Sequence, residues 1–389
     1  MVILVVLLLA LSFTYLLLIV FYYHGWKNTP VFLPSEHFTP QTAISVIIAV
    51  RNEEENIETC LQSLLAQDYP AHLMEIILVN DHSEDNTMHI VAQTKGKKKI
   101  TLLHLPENVS GKKQAIQAGI VAAKGKLVVT TDGDCIAGRK WLKTIAEYYE
   151  KHNPVMIAGP VAIEKETGWL EKWQSLDLCG MMVITAGAIA QNFPNMCNAA
   201  NLAYIREAFY MVNGFEGTES SPGGDDVLLM MKLNRKYPGR IMFLKSPPAI
   251  VYTRPVSSMG LLMQQRIRWV SKANIFPDHW VTAVLLGVFL LCTTILIGFS
   301  AGLFTSTLLV ASVSALALKG AADFIILRSG TLFFGRKRLM IGFPIAELLH
   351  VVYVVVVGFA AKVIGYRWKG RSYHPLRKKQ RQQLFEKYF

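Results

Sequence analysis

Leu127-Val128-Val129-Thr130-Thr131-Asp132-Gly133-Asp134-Cys135 is the stretch whose reading decides the fold. A short β-branched run reads as a buried strand, and this one ends at once in two aspartates that straddle a glycine. Open α/β sheets bind ligands beyond the carboxyl ends of their strands, so an Asp-x-Asp there brings two carboxylates to the binding edge. Gly133 lets the backbone come close to whatever they hold. Paired hard oxygens suit Mg²⁺ or Mn²⁺, which take few protein carboxylates and leave positions for phosphate oxygens. Such a pair also caps ordinary turns, so the rest of the chain has to decide.

Upstream, Ala43–Val50 is a strand by its β-branched density and runs into Arg51-Asn52-Glu53-Glu54-Glu55-Asn56. A helix follows from Ile57 to Gln67 and stops at Asp68-Tyr69-Pro70. Met74–Asn80 is the second strand, and Asp81-His82-Ser83-Glu84-Asp85 is rich in N-cap residues ahead of a helix at Asn86–Thr94. After a charged loop, Lys95–Lys99, a third strand at Ile100–Leu105 leads through Gly111-Lys112-Lys113 into a helix ending at Ala123. Strands alternating with helices of about ten residues predict a parallel sheet covered on both faces. No GxGxxG follows the first strand, so the nicotinamide and flavin fingerprint is missing.

Downstream, Val155–Val161 reads as a strand, Trp169–Ala190 as an unusually apolar helix better suited to a core than to lipid, and Asn198–Arg206 as strand-like. Pro222-Gly223-Gly224-Asp225-Asp226 is a glycine-rich loop leading into a helix, where the aspartates serve as N-caps in the plainest reading. After a strand at Ile241–Leu244, Met259–Ala273 is an amphipathic helix carrying Gln265-Arg266-Ile267-Arg268-Trp269, and its mix of basic and aromatic side chains suits a membrane interface.

Composition accounts for the remainder. Of 389 residues 52 % are hydrophobic and 17 % charged, the mean hydropathy is +0.31 and the formal charge is +12. Val2–Tyr23 carries no charge and is long enough to span a bilayer. It lacks the basic start and small-residue cleavage site of a signal peptide, so residues 1–25 are expected to be a transmembrane anchor. Trp280–Leu303, Thr305–Leu327 and Met340–Ile364 are three further candidates. The expected organisation is an anchor at 1–25, an α/β domain at 40–255, an interface helix at 256–279, two or three transmembrane helices within 280–366 and a basic tail at 367–389. If the α/β domain is cytoplasmic, three late crossings put the tail outside, whereas the positive-inside rule keeps it in the cytoplasm. One candidate is therefore re-entrant or interfacial, or the rule is overruled. Cysteines 60, 135, 179, 197 and 292 form no CxxC, which points to a reduced compartment without a zinc site, and the Asn108-Val109-Ser110 sequon is incidental. A nucleic-acid partner is not expected, because the basic tail adjoins an apolar segment and has no reader motif.

Taken together, Asp81, Asp132-Gly133-Asp134, Asp225-Asp226 and Gln265-x-x-Arg268-Trp269 ahead of apolar helices resemble the family 2 glycosyltransferases of GT-A fold, over roughly Ile44–Trp269. The resemblance implies an α/β nucleotide-sugar-binding domain with a mostly parallel sheet, flanked by N-terminal and C-terminal transmembrane helices. It implies that Asn52, Glu53 and Asp81 hold the uridine of a UDP-sugar, and that Asp132 and Asp134 lie by the diphosphate. Asp134 is the more direct ligand of Mg²⁺ or Mn²⁺, and Lys112 or Lys113 assists the phosphates. Asp226, rather than Asp225, is the implied general base of an inverting hexose transfer; Gln265 and Arg268 meet the diphosphate and Trp269 forms the acceptor wall. Among members with this last motif, the compact size most resembles the lipid-glycosylating ones, ceramide glucosyltransferases and carotenoid glycosyltransferases. The expectation is therefore a membrane lipid acceptor, in an integral protein of a bacterial inner (cell) membrane with its catalytic domain cytoplasmic. A processive polysaccharide synthase is the alternative, and a non-catalytic membrane scaffold a weaker one.

Overall fold

The computed structural model describes residues 1–95, 100–216, 224–271, 279–368 and 371–373. The charged run ending at Lys99, the start of the glycine-rich loop at Pro222 and the tail beyond Tyr373 lie outside the described residues. The chain divides into an α/β unit (Asn28–Lys165 and Ala188–Pro255) and a helical unit (Met1–Lys27, Glu166–Gly187 and Val256 onward). The segment expected to be one domain at 40–255 thus lends Glu166–Gly187 to the helical unit.

In the α/β unit, β1 (Ile44–Val50), β2 (Met74–Asn80), β3 (Ile100–His104) and β4 (Leu127–Asp132) are joined by α2 (Ile57–Leu65), α3 (Thr87–Lys95) and α4 (Lys112–Ala122). Then come β5 (Cys135–Ala137), α5 (Trp141–His152), β6 (Met156–Ala158), β7 (Val161–Ile163), β8 (Leu202–Ile205), α7 (Arg206–Met211), α8 (Asp225–Lys236), β9 (Ile241–Phe243) and β10 (Val251–Thr253). Seven strands form one sheet in the order β3-β2-β1-β4-β8-β6-β9. The four on the β3 side are parallel, β8 is antiparallel to both neighbours, and β9 again pairs in parallel with β6. Val46, Ile47 and Ile48 of β1 are fully buried, as a strand covered on both faces requires. This mostly parallel α/β sheet with apolar helices before and after it is the expected fold class.

Two expected strands are shorter than their sequence pattern. The run Val155–Val161 breaks at Gly159-Pro160, because Pro160 has no N–H to give a ladder; its carbonyl instead accepts from Asn201 Nδ2 at 2.8 Å and Val251 N at 3.1 Å. The stretch from Asn198 starts as a 3₁₀ turn at Ala199–Asn201, since the Asn198 side chain accepts from Ala200 N at 3.0 Å and competes with the strand.

The helical unit contains α1 (Val2–Asn28), α6 (Trp169–Ala190, through Gly187), α9 (Met259–Val270), α10 (His279–Gly302), α11 (Ser306–Phe333) and α12 (Phe343–Val363). Among the described residues, five helices are long and apolar enough to cross a membrane. Of these, α6 is covered by protein over 72 % of its apolar window against 17–39 % for the other four, so it packs as the core helix expected. It meets α1 glycine to glycine: a Cβ on Gly187 would stand 2.1 Å from the Tyr22 carbonyl oxygen. The pair α10 and α11 is an antiparallel hairpin, with Gly298 facing Ser312 and Gly302 facing Leu309.

The course of α12 follows from its neighbours. Against α10, Phe359 meets Phe289 at 5.2 Å, while Val351 joins the cluster of Leu291, Cys292 and Ile295, so the two run antiparallel. Against α11, Phe343 meets Phe324 at 5.5 Å while Glu347 and His350 meet Lys319, which is antiparallel again. One helix cannot lie antiparallel to both members of an antiparallel pair except by crossing them steeply. α12 therefore lies across the hairpin.

Candidate active site

The chain leaves β1 for β2 and β3 on one side and returns to β4 on the other, so the strand order reverses between β1 and β4, where such sheets bind ligands. Asp132 ends β4 in register with Ala49, and the Asp81 amide donates to the Val50 carbonyl at 2.8 Å, which places both acids at this edge. The loops after β1 and β2 are stitched together. Asn52, at φ +52°, accepts the Glu84 amide on its side-chain oxygen at 2.9 Å, and its own amide donates to Ser83 Oγ at 3.2 Å. Arg51 donates to the carbonyls of Asp81 and His82. The Glu53 amide donates to Thr87 Oγ1 at 2.7 Å, and its carboxylate accepts from Asn56 Nδ2 at 3.0 Å. The side-chain oxygen of Asn52, a residue expected at the uridine, is thus engaged in shaping the loop. Gly133 faces this loop closely, since a Cβ there would lie 3.1 Å from Glu53 Cγ and 3.2 Å from Val50 Cγ1.

The acids gather at the start of α4. Asp81 accepts the Gly111 amide at 3.0 Å, and the next residue, Lys112, forms an ion pair with Asp132. Burial works against the Lys112 charge, but Asp132 beside it and Asp225 and Asp226 beyond hold its pKa above the ordinary lysine range. Of the two lysines considered from the sequence, Lys112 is the one that meets Asp132. Asp225 and Asp226 open α8 behind Gly224, whose φ of +79° suits glycine. Asp225 is buried, whereas Asp226 is half-exposed; its carboxylate accepts the Ala199 amide at 3.2 Å and the Val227 amide at 2.9 Å. The structure therefore collects Asp81, Asp132, Asp225 and Asp226 around one helix N-terminus and one ammonium.

Asp134 turns toward β10, where the Thr253 hydroxyl donates to it at 3.4 Å because β5 and β10 pair Cys135 with Thr253. Thr253 was invisible in the sequence, since a three-residue strand more than a hundred residues away carries no motif. Cys60, Cys135 and Cys197 line the same region; burial first, and then the neighbouring aspartates, raise all three thiols. The donor set of Asp132 and Asp134, hard oxygens joined by a glycine turn, fits Mg²⁺ or Mn²⁺ completed by phosphate oxygens. Among the described residues, the tight grouping of three potential ligands (Asp323, Glu347 and His350, within 4.8 Å of one another) belongs to the helical unit instead.

Gln265, Arg268 and Trp269 lie on α9 in the helical unit. The helix spans Met259–Val270, the expected end at Ala273 lying outside the described residues, and Ser258 caps it by accepting the Leu261 amide at 3.3 Å. Arg266, not singled out from the sequence, is buried, pairs with Asp177 of α6 at 2.6 Å, and places its guanidinium 4.3 Å from the centre of the Trp269 ring. It thereby ties the motif helix to α6 and fixes the indole.

Comparison with known proteins agrees with this fold. Residues 45–209 match the model of Glycosyl transferase family 2. A poly-beta-1,6-N-acetyl-D-glucosamine synthase of Staphylococcus epidermidis is 26 % identical over 275 residues, covering 67 % of this chain and 63 % of that protein. Glycosyltransferase AglE of Haloferax volcanii is 33 % identical over 100 residues, 26 % of this chain and 33 % of the relative. The chain thus spans less than two thirds of the curated relatives it matches. Among solved structures, the mannosyltransferase PcManGT from Pyrobaculum calidifontis, in complex with GDP-Man and Mn²⁺, superposes with a TM-score of 0.56 at 19 % identity, covering 92 % of this chain and 99 % of that one.

Proposed function

We propose that this chain is a family 2 glycosyltransferase, as the match over residues 45–209 supports, and that it performs an inverting transfer of a hexose from a UDP-sugar to an acceptor hydroxyl at a membrane. Asp81, with the loop built by Asn52 and Glu53, receives the nucleoside. Lys112 moves from Asp132 onto a diphosphate oxygen as the donor enters. Asp134 and Asp132 would hold a divalent ion, and the chemistry it would supply is charge neutralisation at the departing diphosphate. Asp226 takes the proton of the acceptor hydroxyl; the freed oxygen attacks the anomeric carbon from the face opposite UDP, the new glycosidic bond forms as the bond to UDP breaks, and one displacement inverts the centre. Proton removal of this kind is worth about 10² to 10⁴ in rate. Gln265, Arg268 and Trp269 keep the diphosphate and acceptor roles that the resemblance assigns them. The observation carrying this reading is the Lys112–Asp132 ion pair at the start of α4, with Asp81, Asp225 and Asp226 around it.

For the acceptor, the polysaccharide synthases among the relatives support a growing saccharide over the lipid first expected. A lipid hydroxyl stays as the second reading, supported by α12, which lies across the α10–α11 hairpin and leaves Ile345, Leu348, Phe359 and Val363 exposed. With α12 lying across, we take α1, α10 and α11 as the helices that cross the bilayer. Purified protein in liposomes with UDP-sugars and Mn²⁺ or Mg²⁺ tests both readings. A lengthening polymer supports the first and a single-sugar lipid the second, while no UDP release with any donor would refute transfer itself.

A further inference from the structure

The helix that packs on α9, α12, carries part of a group of charges that the reaction does not use. Near the middle of α11, Lys319 is fully buried, and its ammonium lies 2.7 Å from Asp323, 2.6 Å from Glu347 and 3.2 Å from His350 Nδ1. Tyr15, near the middle of α1, donates to the other oxygen of Asp323. Asp323, Glu347 and His350 are spaced as a cation site, and the ammonium is within hydrogen-bond distance of all three, so Lys319 itself acts as their cation and a metal reading fails. Ionisable groups at this depth are expensive and mark function. Two of these groups, Glu347 and His350, belong to α12, the helix that lies across its neighbours. One to four turns further along, Tyr353, Val357, Ala360 and Ala361 of that helix pack on Met263, Ile267 and Val270 of α9, the helix carrying Gln265, Arg268 and Trp269.

We propose that the Lys319 network is a positioning device for the transfer reaction: it pins α12 across the α10–α11 hairpin, and α12 in turn holds α9 and its Gln-x-x-Arg-Trp side chains in register. Lys319, Glu347 and His350 are positioning residues acting through α9. The proposal rests on the glycosyltransferase reading, and it has one readout that does not.

The test is Glu347→Gln, which keeps the side chain's size and removes its charge, with His350→Gln as a second variant should the first fail to fold. Ile267→Cys with Val357→Cys, one on each helix of the α9–α12 cluster, reports their packing by oxidative cross-linking in membranes, whatever the protein catalyses. We expect cross-linking in the otherwise native chain to fall several-fold in the Glu347→Gln background. We also expect kcat per folded enzyme to drop at least 10-fold with both acceptor KM and UDP-sugar KM raised, and the cross-link, once formed, to restore most of the turnover. A merely structural role would reduce the amount of folded protein and leave both KM values and the cross-linking yield of the folded fraction unchanged; that result overturns the proposal. Cross-linking that responds as expected in a protein releasing no UDP would retain the α12–α9 coupling and overturn the transferase reading and the positioning role built on it.

Discussion

Two collections of charge, one in each unit, follow opposite rules. At the sheet edge, Asp132 and Asp226 are partly exposed, share one ammonium among several acids, and accept bonds that a ligand can replace. In the helical unit, Lys319 is fully buried and each of its donors meets a partner within the protein. The first is partly exposed and suited to binding; the second is closed and suited to holding helices. A lysine–carboxylate contact occurs in both, so the ion pair alone does not reveal function. Exposure does.

Removing the cation from each collection should separate them. Lys319→Met leaves two buried carboxylates without their cation, a change worth about 3–5 kcal/mol; the expected result is a large loss of folded protein, measured by monodisperse yield and Tm in detergent. Lys112→Met should leave Tm within a few degrees and raise the UDP-sugar KM or lower turnover about 10-fold, or about 1.4 kcal/mol. A large Tm loss there would make Lys112 structural. Thr253→Val removes one donor from Asp134 and should change the Mn²⁺ concentration for half-maximal activity by roughly 3-fold, the scale of a modest net hydrogen bond; no change would detach Asp134 from the metal.

The thiols give the smallest effect. Burial raises Cys60, Cys135 and Cys197 in the folded state, so folding disfavours their thiolates. Their contribution to stability is complete below the unfolded value near about 8.5 and is lost as pH rises toward the folded values. At pH 8 native protein should react with iodoacetamide far more slowly at these positions than urea-unfolded protein, as read by mass. Equal rates would mean the pocket is open to solvent.

Much of the α/β unit was legible because its signals are local. β2 matches its expected bounds, Met74–Asn80, since a β-branched run between turn residues has little alternative. The acids were legible through their order in the chain. Other features depend on distant partners. β10 pairs with β5 and β7, and three residues carry no period. Glu166–Gly187 sits inside the α/β sequence yet belongs with the helices, which its apolarity suggested but its position concealed. Met340–Ile364 reads as a span from its hydropathy, and α12 is long and apolar enough for one; that it packs antiparallel to both α10 and α11 could be found only from the neighbours of Phe343 and Phe359. Arg266 sat in plain view within the motif, and its bond to Asp177 could be found only in three dimensions.

The account rests on Asp226 as the proton acceptor beside a nucleotide site that works without it. The most direct measurement is UDP binding by calorimetry alongside UDP-sugar turnover for Asp226→Asn. The expected result is binding equal to wild type with transfer reduced about 10²- to 10⁴-fold. Turnover unchanged by the substitution would contradict it and move the base to another residue.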